Sequence, residues 1–149
     1  MSETYEIRRR VTFNDTNAAG NVYYATFILW QGACREQWAM EYAPVFTGRL
    51  HEELTAVTAS CSMEYARELH LADHVAIRMT IPTAHLNLIT LNFEFFRLDA
   101  DREQFAGRGA QTISCARRVG DDLEPAAWPR EMVSGLDRFG VDTGRVFSE

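Results

Sequence analysis

Hydrophobic and polar residues alternate along five stretches of this chain, and a helical period governs a sixth. Tyr5, Ile7, Val11 and Phe13 alternate with Glu6, Arg8, Arg10 and Thr12, and Val57, Ala59, Cys61, Met63 and Tyr65 with Thr58, Ser60, Ser62 and Glu64. Further on, Val75, Ile77, Met79 and Ile81 alternate with Ala76, Arg78 and Thr80, and Leu91, Phe93 and Phe95 with Thr90, Asn92 and Glu94. Period-two patterning gives a strand one apolar and one polar face, so each stretch predicts a β-strand. The fifth, Gln104 to Arg118, contains Gly107 and Gly109, which suggest a bend or bulge. Short polar joins, such as Asp99 to Glu103, predict that the last four strands are antiparallel neighbours.

The helical stretch runs from about Val22 to Tyr42, where Tyr23, Phe27, Trp30, Cys34 and Trp38 recur at steps of three and four. Ala25, Ala33 and Ala39 favour the helix, and Pro44 ends it. One long apolar helix and about five one-sided strands must bury their faces on each other. The expected class is therefore α+β, an antiparallel sheet of five or six strands wrapped around one central helix. The tail from Pro125 to Glu149 predicts a short helix after Pro129, and residues from about 123 onward are expected to be peripheral.

With 149 residues the chain reads as one domain, long enough to bury roughly 68–70% of its unfolded surface without staples. Fifteen basic and 21 acidic residues give a net charge of -6, and no Lys/Arg cluster follows a phosphate backbone. Nucleic acid and anionic membrane are poor partners for such a surface. Cys34, Cys61 and Cys115 are odd in number and far apart, which fits buried thiols in a reducing cytoplasm. The N-terminal MSETYEIRRR has no apolar signal core, and no apolar run approaches a spanning helix. The expectation is a soluble cytoplasmic protein.

Candidate chemistry concentrates where the first strand feeds the helix. The turn from Asn14 to Asn21 precedes amides that have no intrahelical partner and carry the positive end of the helix dipole. Such a turn can hold an anion or a developing oxyanion. Alternatively, Asp15, Thr16, Asn17 and Asn21 are ordinary turn and cap residues, with Gly20 supplying a positive φ. Arg35, on an otherwise buried helix, needs a partner, either a carboxylate such as Glu36 or Glu64 or a bound group. His51, His70, His74 and His85 lack metal-site spacing, and no nucleophile elbow, Walker loop or dinucleotide fingerprint occurs.

The string FNDTNAAGNVYYATFILWQGACRE resembles the signature of hotdog-fold thioesterases of the 4-hydroxybenzoyl-CoA type, in which an F-x-D-x-D-x-x-G turn precedes the long helix. MEYARELHLADHVAI and LNFEFFRL resemble later strands of that family, and the likeness spans about Tyr5 to Val119. The family's second Asp, nucleophile or base, is replaced here by Asn17, whose amide is neither. Asn17 together with GNVYY, WQG and CRE is similar to the thioesterases of enediyne polyketide biosynthesis.

That resemblance implies hydrolysis of a polyene or β-keto polyketide thioester on the acyl carrier domain of an iterative polyketide synthase. A β-keto acid released in this way can decarboxylate to a methyl ketone. The implied site has Asn17 orienting thioester or water, Arg35 stabilising charge, and the backbone amide of Tyr24 as oxyanion donor. Gly20, Asn21, Tyr23 and Phe27 would line the substrate, with no metal and no cofactor. The resemblance also implies a homotetramer built from dimers, with the site at the subunit boundary. Two rival readings stay open: an acyl-CoA or aroyl-CoA thioesterase of general metabolism using Asp15 or Glu64 as base, and a non-catalytic acyl-binding module. Neither the histidine-led turn of a hotdog dehydratase nor its acid is present.

Overall fold

The computed structural model describes residues 2–149. Six strands, β1 (Tyr5–Arg10), β2 (Leu54–Tyr65), β3 (His74–His85), β4 (Leu88–Leu98), β5 (Glu103–Val119) and β6 (Asp122–Pro125), form one antiparallel sheet. Its order is β1-β3-β4-β5-β2, with β6 attached to β5. Three helices accompany it: α1 (Tyr24–Tyr42), α2 (Pro44–Gly48) and α3 (Arg130–Arg138). Helix α1 touches β1, β2 and β3, so the sheet reaches around it from both edges. This is the α+β arrangement that the alternating strands and the single long helix require.

The buried stripe of α1, Phe27, Trp30, Cys34 and Trp38, joins Ile77, Met79, Leu91, Phe93 and Phe95 in one core. Phe27 makes edge-on contacts with Phe95 and Tyr65. Bulges between Thr58 and Ser60, Thr80 and Thr83, and at the Phe95/Phe96 pairing bend the strands. Gly107 and Gly109 sit where β5 crowds its neighbours. A Cβ on Gly107 would lie 2.6 Å from the Glu64 carbonyl oxygen, and one on Gly109 would lie 2.0 Å from Gln31 Nε2.

The structure departs from the sequence expectations in several places. β2 and β3 are not neighbours, because β2 crosses to the far side and pairs with β5. Ala59 is the extra residue of a bulge, so the alternation changes phase: Thr58 faces buried Ile113, and Cys61 faces buried Gln111. Cys61 is exposed, unlike Cys34 and Cys115, because β2 is an edge strand. Phe13 is 82% exposed, since the chain leaves the strand after Arg10 and coils into a 3-10 turn at Phe13–Asp15.

Helix α1 starts two residues later than expected, because Val22 is held in a bridge to Thr16. The tail forms its helix after Pro129 but is not peripheral. Trp128, Leu136 and Phe139 are among the most deeply buried side chains, packing against Phe46, Trp38 and Tyr42.

Candidate active site at the start of the central helix

Thr12 and Asp15 cap the 3-10 turn. Both the backbone N–H and the hydroxyl of Thr12 donate to Asp15 Oδ2, at 2.8 and 3.0 Å. The Asp15 carbonyl then receives the Tyr23 amide at 2.9 Å and the Thr26 hydroxyl at 3.2 Å, tying the turn to the first turn of α1. Between them the Asn17 amide donates to the Asn21 carbonyl, and Gly20 N–H donates back to the Asn17 carbonyl. Gly20 has a φ of +88°, a conformation that a side chain would strain.

Asn17 divides its functions. Its side-chain Oδ1 accepts the Ala19 amide at 2.9 Å, which fixes the orientation of the side-chain amide. The Nδ2 group has no partner among the described residues, so what remains for a ligand is a donor. The backbone amide of Tyr24, first in the helix, likewise donates to no group among them. Tyr65 on β2 holds this first turn from outside, its hydroxyl donating to the Tyr24 carbonyl at 2.7 Å.

Asn17, Asn21, Tyr23, Tyr24 and Phe27 line one open cavity of about 400 Å³. Gly20 shapes the turn beside it, and Phe27, 3% exposed, belongs chiefly to the core. Asn21 Oδ1 is buried there without a partner. Tyr65, Arg67 and Glu68 also line it; the sequence places them in a fragment that resembles a strand of the family but assigns them no catalytic or substrate-lining role. They arrive through the long-range bridge of Asn21 with His70, which has no local signature.

The carboxylates fall into distinct positions. Asp15 is committed to its cap. Glu64 is exposed, 3.8 Å from Arg108, and lines a different surface groove. Glu68 is the carboxylate on the cavity rim, where it accepts from Asn21 Nδ2 at 3.4 Å and lies 3.5 Å from His70. The two buried thiols are poorly suited to nucleophilic chemistry, since burial pushes the Cys34 thiol up to about 12 and the Cys115 thiol to about 11. No cluster of His, Cys, Asp or Glu suited to a metal ion occurs among the described residues, and no helix there is long and apolar enough to cross a membrane.

Arg35 is not beside Asn17. It lies eleven residues along α1 from Tyr24, about 16 Å at 1.5 Å per residue. It borders a second cavity of about 350 Å³, walled largely by apolar side chains including Trp38, Ile81, Leu91 and Ile113. Its Nη1 donates to Thr58 Oγ1 at 2.9 Å and to Gln111 Oε1 at 2.8 Å, and Nη2 reaches Glu36 at 3.4 Å. The expected carboxylate partner Glu36 is thus the longest of the three contacts, and Glu64 is not a partner.

The family model of the thioesterase-like superfamily matches residues 11–136. A crystal structure of the dynemicin thioesterase, described in terms of polyene binding, is 34% identical and superposes with a TM-score of 0.87 over 94% of this chain and 99% of that one. A 1,4-dihydroxy-2-naphthoyl-CoA thioesterase from Synechocystis shares the fold at TM-score 0.81 and 18% identity, covering 93% of this chain and 98% of that one. A 1,4-dihydroxy-2-naphthoyl-CoA hydrolase from Prochlorococcus marinus is 28% identical over 100 residues. That stretch is 60% of this chain and 64% of the relative's length. With a matching model across most of its length and the helix-wrapping antiparallel sheet in place, the chain belongs to the thioesterase-like superfamily of hotdog proteins.

Proposed function

We propose that this protein hydrolyses a polyene or β-keto polyketide thioester carried on the acyl carrier domain of an iterative, enediyne-type polyketide synthase. The observation that carries the reading is the pair of unspent donors, Asn17 Nδ2 and the Tyr24 amide, on one cavity at a helix N-terminus. Water adds to the thioester carbonyl, passing one proton to bulk water as it does so, and the Tyr24 amide stabilises the resulting oxyanion, aided by the helix dipole. Asn17 orients the carbonyl or the water. The C–S bond then breaks, and the leaving sulfur takes its proton from water. Without a general base the rate is lower by roughly 10²–10⁴, acceptable for an enzyme serving one slow assembly line. A β-keto acid so released loses CO₂ to give a methyl ketone.

Arg35 enters this site from a second copy of the chain. As α1 advances from Tyr24 to Arg35, its contacts on β2 retreat from Tyr65 through Ser62 to Thr58. An antiparallel pairing of two β2 edges about Cys61 and Ser62 sets the Thr58 end of one copy against the Tyr65 end of the other. Arg35 of one protomer then faces the Asn17 turn of its partner. The exposed edge at Thr58 to Ser62, and the exposed Phe13, Tyr23, Tyr24 and Leu29, support such a cover. Two such dimers pairing again give a homotetramer.

The test mixes two inactive variants, Asn17→Ala and Arg35→Ala, with a loaded synthase and follows released product by mass spectrometry. Half of randomly exchanged dimers are mixed, each with one intact composite site, so about a quarter of wild-type release returns. Mixing without recovery places both residues within one chain, and full release by either variant alone moves the chemistry elsewhere. A second reading, an acyl-CoA or aroyl-CoA thioesterase, draws on Arg67 at the cavity rim and on the 1,4-dihydroxy-2-naphthoyl-CoA hydrolase likeness. Competitive inhibition by free CoA selects it. Acyl binding without any turnover selects the non-catalytic module.

A further inference from the structure

Helix α1 buries one polar side chain completely. Gln31 is 0% exposed, and the side chain it meets, Gln111 on β5, is 3% exposed. Buried amides must spend their hydrogen-bonding groups on protein. Here they do so in one direction. Gln31 Nε2 donates to the backbone carbonyl of Ser62 on β2 at 3.0 Å, with Met63 Sδ 3.5 Å away. A carbonyl can only accept, so Gln31 must turn its NH₂ group to β2 and its oxygen away. That oxygen accepts from Gln111 Nε2 at 3.1 Å, which turns the Gln111 oxygen outward, where it accepts from Arg35 Nη1 at 2.8 Å.

We infer that Gln31 and Gln111 are positioning residues for Arg35, forming a one-way amide relay anchored on the Ser62 carbonyl of β2. The relay spends Nη1 on protein, shared with Thr58, and leaves the other edge of the guanidinium for an anionic group. On that edge Nη2 has only the 3.4 Å contact to Glu36, itself 65% exposed, and Nε has no partner among the described residues. A carboxylate or oxyanion displaces so long a contact readily, since a planar guanidinium can meet it with two parallel N–H donors.

The surroundings are shaped for the relay. Gly109 lies across from Met63, and a Cβ there would come within 2.0 Å of Gln31 Nε2 and 2.7 Å of the Ser62 carbonyl oxygen. Only glycine lets the Gln31 amide reach β2. The bulge at Ala59 brings Thr58 onto the inward face, where it meets Arg35. Three elements, α1, β2 and β5, therefore converge on one guanidinium, and the anchor belongs to the strand that forms the sheet edge. This inference rests on the role given above to Arg35, and its experiment separates the two.

The experiment replaces Gln111 with Met, an apolar side chain of similar length, and reads two quantities. One is the Arg35 guanidinium itself, by a crystal structure of the variant and by its side-chain ¹⁵N–H signal. The other is single-turnover release of carrier-bound thioester. Expected is loss of the fixed Arg35 position and a fall in the chemical rate of roughly 10- to 100-fold, with substrate affinity changed less than about threefold. Gln111→Glu, which keeps an oxygen facing Arg35, should restore the ordered signal. An Arg35 that stays in place in Gln111→Met overturns the relay. An Arg35 that moves while the rate holds leaves the relay standing and removes Arg35 from the reaction. Should Gln111→Met fail to fold, Gln31→Met breaks the relay one bond earlier and must also loosen Arg35; an unchanged Arg35 there overturns the inference equally.

Discussion

At the start of α1, Asn17 and the Tyr24 amide sit in an open turn closed by local bonds and tied to the chain at Leu69 and His70 only through backbone bridges, whereas eleven residues later Arg35 is gripped by side chains from two distant strands. Both stations present donors, yet they are built differently. The turn closes most of its backbone bonds locally and leaves its unspent donors on residues that line an open cavity. The Arg35 station sinks two amides into the core and must pair every group they carry. A change at the turn should therefore cost chemistry with little stability, and a change at Arg35 should cost both.

The largest expected effects follow directly. Arg35→Ala and Asn17→Ala should each lower turnover by about 10²–10³, the usual loss for one oxyanion donor. Arg35→Ala leaves the Gln111 oxygen without its donor and should also destabilise the fold by about 1–3 kcal/mol. For a chain of this length each kcal/mol is roughly 2–4 °C in the melting temperature. Asn17→Ala removes only an exposed turn bond and should cost less than about 1 kcal/mol. Thermal unfolding of the pair that reversed this order would break the contrast between the stations.

The two stations also need their glycines for different reasons, which gives the next effect in size. Gly109→Ala drives a methyl into the Gln31 amide and the Ser62 carbonyl, an overpacking that should cost about 1–3 kcal/mol and the order of Arg35 together. Gly20→Ala meets no atom within 4 Å and suffers only from its positive φ, about 1–2 kcal/mol. Calorimetry of both variants, with the Arg35 signal as second readout, distinguishes them: only Gly109→Ala should disturb the guanidinium.

This contrast also explains what could be read in advance. The turn is local, and the spacing of Asp15, Asn17, Gly20 and the apolar stripe after Val22 exposes it to inspection. The strands are legible because most of the core lies on one face of the sheet: Ile77 to Ile81 and Leu91 to Phe95 alternate without interruption, and only Ala76, buried on the opposite face, breaks the pattern in β3. The Arg35 station is not legible, because its bonds join residue 31 to 62 and 111, and residue 35 to 58 and 111. A single extra residue, Ala59, reverses which β2 side chains face inward, and period-two reading cannot detect it. The burial of the tail escaped for a related reason: Trp128 and Phe139 are too few and too widely spaced to announce a core face.

Tyr65 ties the turn to β2, and its loss should be felt less. Tyr65→Phe deletes the 2.7 Å bond to the Tyr24 carbonyl and keeps the ring against Phe27, so about 1 kcal/mol of stability should go. Because the bond anchors the residue whose amide is the proposed oxyanion donor, turnover should fall by several-fold while binding holds. Equal loss in both would show that the hydroxyl touches substrate instead of the helix.

The smallest expected effect concerns Glu68, the carboxylate on the rim of the Asn17 cavity. It is 69% exposed, and its oxygens already face Asn21 and His70. Glu68→Gln keeps an oxygen for Asn21 and removes the charge. If the site works through donors alone, single-turnover release should change by less than about threefold. A general base contributes roughly 10²–10⁴, so a fall of that size would make Glu68 the missing base. It would also dissolve the contrast between the two stations, because the turn would then depend on the distant loop after β2 for its chemistry, as Arg35 depends on β5 for its position.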